Sequence, residues 1–414
     1  MNELPLRGYC ALDLTDDKGF LCGRILGDLG CDVIKVEPQG GDPSRRIGPF
    51  YRDIPDPEKS LYWFAYNANK RGITLNIESE DGKEIFKKLA KKAHFVIESY
   101  PPGYMDSLDL GYSSLSQINP ATILTSITPF GQTGPYKDYK APDIVGMAMS
   151  GLMYLCGDPD RPPVRISFPQ AYLHAGAEAA VDTLIAHYHR QKSGEGQWVD
   201  VSMQQAALLA TFNAVPFWEL NQVVLRRSGA WRTGLTTAVL QRQIWPCKDG
   251  YVCFPVMGGP TGAKTNRRLA DWMDKEGMSD NFLRGIDWDN FDMAGITQEV
   301  WDHMERLIIK FFQAYTKQEL YDKSLEWGSM VYPVATTKEI IGNKQLESRE
   351  YWLPVEHPEL GEAIVYPGAA VKVSLAPMVI RRRAPLIGEH NEEVYEKLGF
   401  SRDDLVILRQ VGVI

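Results

Sequence analysis

Positive charge is in deficit along this sequence: 45 lysines and arginines face 53 aspartates and glutamates, a formal net charge of −8 at pH 7. A nucleic-acid partner needs a basic surface to meet its phosphates, so none is expected. Cysteine is scarce as well. The six (Cys10, Cys22, Cys31, Cys156, Cys247 and Cys253) fall at no metal-ligand or disulfide spacing and read as reduced thiols of a cytoplasmic protein. Long apolar runs are missing. The longest uncharged stretch, 201–218, holds Gln204, Gln205, Asn213 and Pro216 and is too polar to span a bilayer, so no membrane partner is expected. The opening MNELPLRGYC carries an early acid and no apolar h-region, which argues against secretion.

Familiar catalytic signatures are absent too. There is no GxGxxG, GxSxG, Walker loop, HExxH or paired CxxC. His187 and His189 lie two apart on an expected helix, so their side chains point about 160° apart and cannot share a metal ion. No metal is expected. A glycine-rich stretch, Gly258-Gly259-Pro260-Thr261-Gly262, has the composition of a phosphate cradle, although a plain loop is the simpler explanation.

What is present is an α/β pattern long enough for two cores: 414 residues, 44% of them hydrophobic. Residues 9–14 (YCALDL), 19–29 and 32–36 (DVIKV) read as strand, helix, strand, a βαβ unit that implies a parallel sheet with a right-handed crossover. Further strands are expected at 94–98, 123–127 and 198–201, and helices at 82–93 and 169–191. A second long helix, 203–224, should kink or break at Pro216. From about residue 226 to 327, glycine turns and tryptophans suggest a smaller second domain. A β-rich stretch with four prolines, 351–377, reads as a returning linker, and 389–398 as a helical tail without a partner of its own. The expected boundaries are 1–210 for a large Rossmann-like domain, 211–228 for a linker, 229–330 for the small domain, 331–382 for the returning linker and 383–414 for the last part of the large domain.

Several segments are specific in order and spacing: LDLT, CDVIKVEP, GDPSRR, NANKRGITLN, PPGYMDSLDLG, TPFGQTGPY, APDIVGMAMSGLM, RPPVR, KSGEGQWVDVSM and RRAPLIGEHNEEV. Together they cover nearly the whole chain, which resembles the class III CoA-transferase family. The resemblance implies a Rossmann-like large domain built from both chain ends, a small domain on long linkers, and two chains threaded through one another. It also implies acyl-CoA and a small carboxylic acid as substrates, with no metal, and an aspartate that carries the acyl group as anhydride and thioester.

That aspartate belongs to a P-x-A-D-L segment some twenty residues before the turn read here as KSGEGQ. Both flanks align without a gap, and the position holds Tyr172. A phenol with a usual pKa of about 10 is no substitute for a carboxylate. The nearest downstream acids, Glu178 and Asp182, face about 120° and 80° away on a helix. A racemase role is equally disfavoured, because Pro142 stands where a histidine should precede Asp143. Among the CoA contacts implied by the resemblance, Ser107 replaces a phosphate-binding cation and Ser99 an asparagine. Tyr100 keeps an aromatic ring, Lys140 matches a lysine near the phosphates, and Pro38 keeps the turn beside the adenine.

The resemblance extends to heteromeric members in which one of two homologous subunits lacks the aspartate and CoA passes from succinyl-CoA to an aryl-succinate such as (R)-benzylsuccinate, as in anaerobic toluene breakdown. The expectation is a non-catalytic subunit with an aspartate-bearing homologue as partner. The alternatives are a homodimer using another nucleophile and a CoA-binding regulatory protein. Activity of the chain without a partner distinguishes them.

Overall fold

The computed structural model describes residues 4–233 and 239–414, which form two compact units. The larger comprises the chain up to Met153, Arg165–Asn221 and Lys344–Ile414, and the smaller Tyr154–Val164 and Gln222–Asn343. Residues 154–164, placed by the sequence reading in the large domain, therefore belong with the small one.

Six parallel strands form the large unit's sheet: β1 (Cys10–Leu14), β2 (Asp32–Glu37), β3 (Lys70–Thr74), β4 (Phe95–Glu98), β5 (Ile123–Thr128) and β6 (Trp198–Ser202), in the order β3-β2-β1-β4-β5-β6. Both faces are covered, which is why the central strands are nearly continuous in apolar residues. Leu12, opposite Ile34 and Val96, points to one face, and Ala11, opposite Val33 and Phe95, to the other. The first face packs on the helix Glu80–Lys92 and the chain's last helices. The second packs on α1 (Phe20–Asp28) and the 24-residue Gln170–Ser193 helix. Small residues let that long helix come close: a Cβ on Gly176 would meet Leu21 Cβ at 2.9 Å. The helix ends on Gly194 in the left-handed region, at φ 78°.

The sequence reading missed β3. Its first two residues are charged, yet both are buried and paired. Lys70 Nζ donates to Asp13 Oδ2 (2.7 Å), to Asn67 Oδ1 (2.9 Å) and to the Phe20 carbonyl (3.0 Å). Asp13 Oδ1 accepts from the Thr15 amide and hydroxyl, so this pair under β1 fixes the turn that follows it. The helical tail, expected to lack a partner, covers the β3 edge. Asn391 exchanges bonds with the Thr74 amide and hydroxyl, and the Tyr395 hydroxyl donates to the Thr74 carbonyl (2.6 Å).

Residues 203–224 are not one long helix. They form Met203–Leu208, a 3-10 turn and Ala214–Asn221, so the break falls before Pro216. Pro216 then lies in a first helical turn, where its missing N–H costs nothing. The stretch read as a returning linker contains an antiparallel hairpin, Trp352–His357 with Glu362–Pro367. Val355 and Tyr366 of this hairpin join Trp63, Phe64 and Phe20 in a core of the large unit. The small unit has a three-stranded antiparallel sheet and a core around Trp245, Trp272, Trp301 and Phe311.

At the amino edge of the large sheet, Arg190 donates to the carbonyls of His94 (2.6 Å) and Ala121 (2.9 Å) and lies 2.7 Å from His187 Nδ1. Burial, and then the Arg190 charge, hold both His94 and His187 below their usual pKa of 6.5. Below that value the unfolded chain binds protons that the folded one refuses, so stability rises with pH up to about 6.5 and falls on acidification. Thermal unfolding should show a lower Tm at pH 5.5 than at pH 7.5, with a shallower fall in His187→Gln. Equal slopes in the two proteins would remove His187 from the cause.

Candidate functional site

In an open parallel sheet, ligands bind at the carboxyl ends of the strands where the strand order reverses, here between β1 and β4. The turn after β1 carries Asp16, Asp17 and Lys18. The Asp16 carboxylate accepts from the Ser99 hydroxyl (2.8 Å) and pairs with Lys18. Ser99 also accepts from the Asp16 amide (2.8 Å), joining the ends of β1 and β4.

Tyr172 is in the first turn of the Gln170–Ser193 helix, half-buried against the core beneath it. Its amide donates to Asp143 Oδ1 (3.2 Å), and Asp143 opens the short helix Asp143–Met149. Asp143 is thus a cap for the helix that carries Tyr172, with its carboxylate at the positive end of that helix. Burial raises its pKa, and the Tyr172 and Ala171 amides oppose the rise. Burial also pushes the Tyr172 hydroxyl above its usual range, and the Asp17 and Asp16 charges push it further. Tyr62, on the helix Leu61–Asn67, is raised by burial and by Asp17. Asp17 itself is pushed up to about 6 by burial and by neighbouring Asp16. Tyr172, Tyr62 and Asp17 thus lie within electrostatic reach of one another: two phenols raised by burial and a carboxyl pushed up to about 6. The sequence reading found neither Asp17 nor Tyr62. They come from separate elements, and only the TDDKG turn directly after a strand end hints at the first.

Glu178 and Asp182 lie on the same unbroken helix as Tyr172, about 9 and 15 Å further along it. Asp182 is raised by burial and by Glu178. Of the five expected CoA contacts, Pro38, Ser99 and Tyr100 line one crevice at the carboxyl edge, and Ser107 and Lys140 do not. Ser107 is exposed, its hydroxyl turned back onto the Tyr104 carbonyl (2.7 Å), and Lys140 is exposed on the loop between β5 and Asp143. Beside the crevice a smaller cavity of about 200 Å³ contains Glu98, which burial pushes up to about 7.

His187 and His189 have different neighbours, Arg190 and Ser193, and no cluster able to hold a metal ion occurs among the described residues. Gly258 precedes the helix Gly259–Lys275, and Gly262 is needed because a Cβ there would lie 2.1 Å from the Met257 carbonyl. No helix among the described residues is long and apolar enough to cross a membrane.

Residues 7–391 match the profile of CoA-transferase family III. The chain is 35% identical over 408 residues, 98% of its own length and 97% of the relative's, to the succinyl-CoA:(R)-benzylsuccinate CoA-transferase subunit BbsE of Thauera aromatica. It is 30% identical to succinyl-CoA–D-citramalate CoA-transferase of Chloroflexus aurantiacus, covering 96% of this chain and 94% of that one. Among solved structures, a CaiB/BaiF family protein from Brucella suis superposes with a TM-score of 0.83 at 25% identity, covering 95% of this chain and 99% of that one.

Proposed function

The chain belongs to CoA-transferase family III, and from that premise we propose that it is the subunit of a heteromeric succinyl-CoA-dependent transferase that carries no acyl group itself. The acceptor is an aryl-succinate such as (R)-benzylsuccinate, and the catalytic aspartate belongs to a homologous partner. One observation supports this reading: Tyr172, the residue at the position where the resemblance implies the acyl-carrying acid, lies in the first turn of the Gln170–Ser193 helix. The similarity to subunit BbsE supports the acceptor class.

On the partner, the aspartate attacks the carbonyl carbon of succinyl-CoA and expels the CoA thiolate, giving a mixed anhydride. The thiolate attacks the aspartyl carbonyl and expels succinate, leaving an enzyme thioester. The acceptor carboxylate then displaces CoA into a second anhydride, and CoA closes the cycle on the acceptor carbonyl. Each step exchanges acyl derivatives of similar energy, so the sequence is reversible. Tyr172 can do none of this, because its raised pKa keeps the phenol protonated.

We also infer that the two chains interlock, as the resemblance implies. Phe212, Leu220 and Leu375 are 65%, 81% and 75% exposed, apolar surface that a second chain would cover. With succinyl-CoA as its donor, the proposed enzyme works in the cytoplasm. Asp17 favours one rival reading, a self-sufficient homodimer in which this acid is the nucleophile. Transfer from succinyl-CoA to benzylsuccinate decides between them. The purified chain should be inactive until the aspartate-bearing partner is added, and normal turnover without that partner would favour the rival.

A further inference from the structure

The crevice at the carboxyl edge has a volume of about 510 Å³. Its apolar part suits a flat ring: Val36, Leu75 and Ile77 form the walls, and the Tyr100 and Tyr104 rings lie 4.7 Å apart. Its polar part has the wrong sign for CoA. Asp16, Glu37, Asp42 and Glu78 line it, and no lysine or arginine does.

The cations nearby are already engaged. Arg45 bonds both Glu37 oxygens at 2.6 and 2.8 Å and stacks on Trp63, 3.8 Å from its ring centroid. Lys35 is buried under the β1 turn, bonded to the Thr15 carbonyl and 3.8 Å from Asp42. Lys18 pairs with Asp16. Glu78, exposed at the rim, accepts from the Tyr104 hydroxyl (2.7 Å), a neutral donor that leaves its charge in place. CoA brings a diphosphate and a 3′-phosphate, which need arginine, lysine or a free helix N-terminus. Here they would meet carboxylates at close range.

We propose that this crevice excludes CoA, so that the heteromer binds one CoA per pair of chains, on the aspartate-bearing partner. The proposal rests on the heteromeric reading above and adds a cause for the asymmetry: the charge at Glu78 and the engagement of Lys18 by Asp16, rather than the loss of the nucleophile alone. A subunit that bound CoA without a nucleophile would sequester substrate, and an acidic crevice prevents that.

Calorimetric titration of the assembled heteromer with CoA should give one equivalent per pair. The double change Asp16→Asn/Glu78→Lys in this chain should raise it toward two. Gln39→Lys adds a cation at an exposed position on the crevice wall without removing any acid, and it should give a weaker second site even if the double variant folds poorly. Two equivalents per pair in the unmodified enzyme, or one equivalent persisting in both variants, would overturn the proposal. A trapped acyl adduct on this chain would sink the heteromeric reading itself, whatever the CoA count, so the two failures are distinguishable.

Discussion

Phenylalanine in place of Tyr172 is expected to leave kcat of the assembled enzyme within about twofold, whereas asparagine in place of the partner subunit's aspartate should lower it by on the order of 10⁴ or more. The contrast follows from what each group touches. Tyr172 packs on the core with its ring, its amide holds Asp143 through the backbone, and its hydroxyl stays protonated. Phenylalanine keeps the ring and the amide. Under the proposed cycle the partner's aspartate, by contrast, makes or breaks a bond in every step. Steady-state transfer with succinyl-CoA and benzylsuccinate measures both variants. A loss of a hundredfold or more in Tyr172→Phe would give this chain a catalytic phenol and would contradict the proposed division of labour.

The second large effect is on stability. Lys70→Met should destabilise the chain by about 3–5 kcal/mol, because it strands the buried Asp13 carboxylate. Burial would raise the pKa of Asp13, but the charges of Lys70 and Lys35 outweigh it and hold that acid below its usual range. With Lys70 gone, Lys35 is the remaining cation, 3.9 Å from Asp13 Oδ1. Packing leaves little room to relax, since a Cβ on Gly23 would lie 2.2 Å from Asp13 Oδ2. The double variant Asp13→Asn/Lys70→Met removes both charges and should recover part of the loss, a coupling that denaturant unfolding in a double-mutant cycle reads directly. Additive losses would mean that the two residues act separately.

Much of the large unit was legible because its strands obey simple rules. DVIKV and ILTSI are short, β-branched and apolar on both faces, as buried parallel strands must be. The 24-residue helix was legible from its spacing and its terminal glycine. What stayed hidden depends on partners far apart in the chain. No strand was read at Lys70 and Arg71, because their charges are compensated only once folding brings Asp13 and Asp32 beside them. The tail helix had no apparent partner because its bonds run to Thr74, 317 residues earlier for Asn391. The hairpin 352–367 looked like a linker because its core lies in Trp63 and Phe64. At the candidate site, Tyr172 was singled out through gapless flanking motifs, whereas Asp17 and Tyr62 become relevant only when folding brings them near it. The sign of the crevice was hidden for the same reason: its acids come from the ends of β1, β2 and β3.

The division of labour is tested most directly by mapping where the acyl group resides. The heteromer, incubated with succinyl-CoA and quenched with borohydride, is separated into its chains and weighed by mass spectrometry. The account predicts a modified aspartate on the partner and an unchanged mass for this chain. A trapped residue on this chain, at Asp17 or anywhere else, would contradict it.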